Sequence, residues 1–207
     1  MATEIKEVQA LYIIDSPKDI ILDSLEEAIR SGGDNVNWHV FVRGVHGLNG
    51  NLKNFADDLT TLMALPQIHR GSLESYALNY WWTWLEMLPQ ALRKYVCLMR
   101  GKYEFEEKWL DRLIEALDGD DEAIQGHTVI TPLDCAQNPD TKSATKLLHH
   151  IEAPPIGVWL TDYAFFIRHG FPGVGELPEE YYGASLSQAG ELFGGLNRAC
   201  VKPWLSD

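Results

Sequence analysis

The 207 residues are 45% hydrophobic, 11% aromatic and 23% charged, enough apolar content to bury a core and too much for a disordered chain. A formal net charge of -13 repels a phosphate backbone at long range, so direct nucleic-acid binding is not expected. The longest uncharged stretches, such as Ser75 to Leu85, reach 11 residues, well short of the roughly 18–20 that cross a bilayer, and no membrane association is expected.

Val8 to Ile14 is an apolar, β-prone run that stops at Asp15-Ser16-Pro17 and predicts a strand. Asp15 or Ser16 is placed to cap a helix with Pro17 in its first turn, and Ile21, Leu22, Leu25, Ala28 and Ile29 recur at helical spacing until Gly32-Gly33. Trp38 to Val42 reads as a second strand, closed by Arg43-Gly44, so residues 1–50 predict a β-α-β unit whose strands can run parallel across the helix. After residue 50 the spacing turns helical. Leu52 to Met63 predicts one helix, Ser72 to Leu88 a second that carries the aromatic centre, and Gln90 to Arg100 a third, divided from the second by Pro89 and ended by Gly101. Lys102 to Leu117 predicts the clearest amphipathic helix, with Phe105, Trp109, Leu110 and Leu113 on one face against Glu104, Glu106, Glu107, Asp111 and Glu115.

Thr128 to Ile130 predicts a short strand and Thr141 to Ile151 a helix. Gly157 to His169 predicts a buried helix with a strand as the alternative, and Leu186 to Cys200 a last helix weakened by Gly190, Gly194 and Gly195. Together these predict an α+β fold: one compact domain over 1–207, predominantly helical, with a small two- or three-stranded sheet near the amino terminus and the 1–50 unit packed on a helical 51–207 part.

Cys97, Cys135 and Cys200 include no CxxC, which fits a reducing compartment, and Glu4 and Glu7 stand where a secretory signal needs basic residues; a cytoplasmic protein is expected. No HxxxH or HExxH places two imidazoles on one helical face. A histidine metal site joining His39 and His46 is an alternative, as is a hydrolase in which His149 or His150 activates Cys135, but neither spacing carries a recognised signature. Asp118, Asp120 and Glu122 begin like a calcium loop, and Ala123 and Val129 then break the pattern. No GxxxxGK[ST] and no GxSxG occurs, so no motif supports nucleotide binding or a serine nucleophile, and no cofactor is expected.

What remains is charge and aromatic surface. Residues 1–103 carry 10 basic and 12 acidic side chains, residues 104–207 carry 7 and 18, and the stretch from Glu104 to Glu122 holds nine carboxylates against Lys108 and Arg112. Trp82 projects from a different helical sector than Trp81 and Leu85, which marks it for a partner surface. Arg93, Lys94, Arg100 and Lys102 form the densest basic group; pairing with neighbouring acids is the plain expectation and a phosphate site the sharper one. The expected function is a non-enzymatic acidic interaction protein, an accessory subunit or inhibitor and so a regulator, that docks on another protein's basic surface through Glu104, Glu106, Glu107, Asp111, Glu115 and Trp82.

Overall fold

The apolar run near the amino terminus forms strand β1, Val8–Ile14, and the stripe after it forms helix α1, Asp19–Ser31. Strand β2, Val36–Val42, lies parallel to β1 with Val8 opposite Val36 and Ile14 opposite Val42, so the β-α-β unit stands as expected. A computed structural model describes residues 7–14, 19–42, 68–72, 94–119, 127–132, 148–153, 157–169, 179–197 and 200–204. The helices expected over 52–63 and 73–88 lie outside those residues.

The sheet continues well beyond this unit, and that overturns the predominantly helical expectation. Strand β3, Ile68–Ser72, joins β2 in parallel, and β4, Tyr95–Arg100, joins the other side of β1 in parallel, where a helix was expected. Tyr95 to Met99 is buried without a break, as a central parallel strand requires, and a run that is apolar on both faces carries no period to read. The expected amphipathic helix is divided: β5, Tyr103–Phe105, precedes helix α2, Trp109–Asp118, and Lys108 turns the chain between them at φ 59. Strand β6, His127–Pro132, contains the strand expected at 128–130. Strand β7, Leu148–Ile151, lies where a helix was expected.

The segment expected as one buried helix becomes strand β8, Val158–Asp162, followed by helix α3, Tyr163–His169. Helix α4, Glu179–Gln188, then precedes strand β9, Leu192–Leu196, with Gly190 at φ +89 turning the chain between them. Strand β10, Val201–Pro203, pairs with β5 as a separate antiparallel ribbon. The main sheet has eight strands in the order β3-β2-β1-β4-β8-β6-β9-β7. β8 and β7 run against their neighbours, so β1, β2, β3, β4, β6 and β9 all end at one edge of the sheet.

One face of the sheet carries the core. Ala10, Tyr12, Trp38, Val40, Cys97 and Met99 pack with Leu25 and Ile29 of α1 and with Trp109, Leu110 and Leu113 of α2. The Trp109 ring lies 4.9 Å from that of Phe105 and 6.4 Å from that of Trp38, tilted to both, and its indole N–H donates to the Ala28 carbonyl at 3.2 Å. Gly32 permits this approach: a Cβ there would lie 2.8 Å from the Ala28 carbonyl oxygen and 3.1 Å from the Trp38 ring. Among the described residues no helix is long and apolar enough to cross a membrane.

Candidate functional site

In open α/β sheets a ligand crevice forms outside the carboxyl ends of the strands, where the strand order reverses. Here the chain builds β2 and β3 on one side of β1 and then returns to place β4 on the other, so that reversal lies between β1 and β4. Beyond the end of β4 runs the turn Arg100-Gly101-Lys102-Tyr103.

A buried polar relay holds this turn. The Tyr12 hydroxyl, wholly buried on β1, donates to the Gly101 carbonyl at 2.7 Å and lies 3.0 Å from the Ser24 hydroxyl on α1. Ser24 donates to the Tyr103 carbonyl at 2.7 Å and accepts the Tyr103 N–H at 2.9 Å. The Tyr103 hydroxyl donates to the Arg100 carbonyl at 2.8 Å, and the Trp204 N–H to the Lys102 carbonyl at 3.0 Å. All four carbonyls of the turn are therefore engaged by groups of the protein itself. The Arg100 N–H ties the same point to the Gly157 carbonyl at 2.7 Å, just before β8. Gly101 adopts φ +116, and a Cβ there would meet the Tyr103 hydroxyl at 3.0 Å, so the turn needs glycine. Burial pushes the Tyr12 hydroxyl up to about 12, against a smaller opposing effect of its hydrogen bond with Ser24, and keeps it a neutral donor.

The acidic residues singled out in the sequence do not share one helix. Glu104 lies on β5, Glu106 and Glu107 lie in the turn before α2, and only Asp111 and Glu115 lie on α2; all five are exposed. Glu106 pairs with Arg112 at 2.8 Å and with Lys202 at 4.0 Å, so part of this face is neutralised within the chain. Trp82, Cys135 and His46 lie outside the described residues. His39 is buried on β2, its Nε2 3.1 Å from the Gln9 Oε1. His149 and His150 belong to strand β7, opposite Gly195 and Gly194, so they do not share the helix that the hydrolase alternative assumed. The exposed His150 ring lies 5.9 Å from that of His127. Among the described residues no three of His, Cys, Asp and Glu gather as metal ligands.

Arg100 and Lys102 are legible in the sequence as basic residues and as a possible phosphate site, but not as the end of a strand. Tyr12, Ser24 and Tyr103 are wholly missed, since 12 and 79 residues separate the bonded pairs.

No protein-family model matches the chain, and no curated protein matches its sequence. Solved structures do match in fold. GalNAc-T7, solved with UDP, GalNAc and Mn2+, superposes with a TM-score of 0.58 at 10% identity, over 93% of this chain and 42% of its own. The mannosyltransferase PcManGT from Pyrobaculum calidifontis, solved with GDP-Man and Mn2+, superposes with a TM-score of 0.57 at 12% identity, over 95% of this chain and 56% of its own. The chain thus spans about half the length of these structures. This chain therefore shares the fold of these two structures, a mixed sheet and not a predominantly helical domain. That likeness overturns the expectation of a non-enzymatic accessory subunit, inhibitor or regulator, because the sheet shared over nearly the whole chain is that of two transferases.

Proposed function

We propose that this chain is an enzyme that uses a nucleoside-diphosphate sugar, bound outside the carboxyl ends of β1 and β4, as donor in a glycosyl transfer. The observation that carries this is the place where strand order reverses: a turn locked by Tyr12, Ser24 and Tyr103 stands there, in a sheet shared with two transferases that hold UDP or GDP-Man. Fold alone does not decide chemistry, and the turn adds what the fold lacks, a preorganised polar element at the expected crevice. The buried thiol of Cys97, outside any disulfide, supports the cytoplasm as its compartment.

Thermal unfolding with a panel of UDP- and GDP-sugars tests the proposal, coupled to an assay for released nucleoside diphosphate. One donor is expected to stabilise the fold by about 3 kcal/mol at a hundred times its Kd. If no donor raises the unfolding temperature and none is consumed, with or without Mn2+, the proposal falls.

A further inference from the structure

Helix α1 buries Leu22, Leu25, Ala28 and Ile29 in the core, so Asp23, Glu26, Glu27 and Arg30 fall on its outer side, three and four residues apart and adjacent along the helix. Between this side and the chain that leads from β5 into α2 lies an open groove of about 420 Å³. Its floor is the buried ring of Phe105, backed by the rings of Trp109 at 4.9 Å and Tyr103 at 6.2 Å. Glu26 and Arg30 meet at 2.6 Å across one turn of helix and neutralise each other. Asp23, Glu27 and Glu107 line the same groove and have no cationic partner among the described residues, so its walls carry negative charge that the chain itself does not offset.

These three carboxylates follow one another at an even step. Glu27 stands four residues after Asp23, about 6 Å along the helix axis. Ser31 stands four residues further, and Glu107 is held beside it, because the N–H of the next residue, Lys108, donates to the Ser31 carbonyl at 2.8 Å. In an extended peptide every second side chain lies on the same face, about 6.7 Å apart. We infer that the groove binds an extended basic segment of another protein, with lysine or arginine at alternating positions facing Asp23, Glu27 and Glu107. The Phe105 floor gives the aliphatic stems of those side chains an apolar bed while their charged heads reach the acidic walls. Length favours a peptide over a small diamine, which reaches only two of the three carboxylates. None of residues 100–103 lines the groove, so its occupancy does not require a bound donor.

Fluorescence anisotropy of the whole chain with a dye-labelled peptide Lys-Thr-Lys-Thr-Lys tests this, beside Lys-Lys-Thr-Thr-Lys, which has the same composition but no two lysines at alternating positions. The first peptide is expected to bind at least about fivefold more tightly than the second, and added salt to weaken it. Combining Asp23→Asn, Glu27→Gln and Glu107→Gln is expected to raise its Kd by about tenfold or more, as three ion pairs of a few-fold each are lost. Glu104→Gln, Asp111→Asn and Glu115→Gln remove the same charge from exposed positions outside the groove and are expected to change Kd less than about twofold. Absence of binding overturns the inference, as does equal binding of the two peptides. Equal weakening by the two triple variants also overturns it, since net charge alone would then hold the peptide. Displacement of the peptide by 1,4-diaminobutane at an equal or lower concentration would make the groove a small-cation site and overturn it as well.

Discussion

At the amino edge of the sheet, ionic side chains pair with one another. Lys94, just before β4, lies 3.3 Å from Asp118 and 4.5 Å above the Tyr95 ring, and the Tyr95 hydroxyl donates to the same Asp118 carboxylate. Before β9, Glu191 meets His169 and lies 3.6 Å from Arg168. At the carboxyl edge, neutral hydroxyls grip backbone carbonyls, and the cations Arg100 and Lys102 are carried on the turn so fixed. The first arrangement satisfies charge locally; the second spends uncharged groups on positioning. Their depth separates them energetically, and Ser24 lies at the deepest point. Ser24→Ala removes the partner of both the Tyr103 N–H and the Tyr103 carbonyl. The expected loss is about 2–5 kcal/mol, read by urea unfolding, because a buried group left without its partner costs about 1–3 kcal/mol. A loss below about 1 kcal/mol would mean that the relay does not hold the turn.

Alkali sharpens the same contrast. Tyr12 is a neutral acid whose folded value rises to about 12 from an ordinary 10.0, so its contribution is complete below pH 10 and is lost as pH climbs through 12. The parent is expected to lose up to about 3 kcal/mol over that window, the equivalent of two pH units. Other tyrosines and lysines also titrate there, so the measure is the difference from Tyr12→Phe, whose stability curve should be flatter by that amount. Parallel curves would show that the hydroxyl is not shielded in the way its burial implies.

How much of this was legible in the chain follows from period and distance. The β1-α1-β2 unit was readable because a 13-residue amphipathic stripe, opened by Asp15-Ser16-Pro17 and closed by Gly32-Gly33, separates two apolar runs. β4 was not, since five buried residues in succession match a buried helix as well as a central strand. The error spread from there. With β4 taken as helix, Arg100 and Lys102 became surface charges before an acidic helix, and Gly101 a helix stop, when the same Gly101 turns a strand toward β5. β9 hid for a second reason: Gly194 and Gly195 weaken helix and strand alike, so neither period stands out there. The Tyr12 relay joins residues up to 89 apart, and no local pattern encodes such a contact.

The amino edge provides the smallest expected effects, graded by exposure. Burial alone raises the Glu191 carboxyl, but hydrogen bonds from Thr128 and His169 and the charge of Arg168 outweigh it and hold the carboxyl below its ordinary value. A carboxyl lowered by folding stabilises the protein above its ordinary range, and that contribution fades as pH falls through the lowered folded value. Glu191→Gln is therefore expected to cost about 1–2 kcal/mol at neutral pH and progressively less in acid, since its side chain is only 12% exposed. Lys94 and Asp118 are about half exposed, at 52% and 48%, and Lys94→Ala is expected to stay within about 0.5 kcal/mol of the parent. Thermal unfolding of both variants between pH 4 and 8 measures the grading. If Lys94→Ala proved the costlier of the two, the amino edge would owe its stability to the exposed cation over the Tyr95 ring and not to the partly buried Glu191 carboxylate.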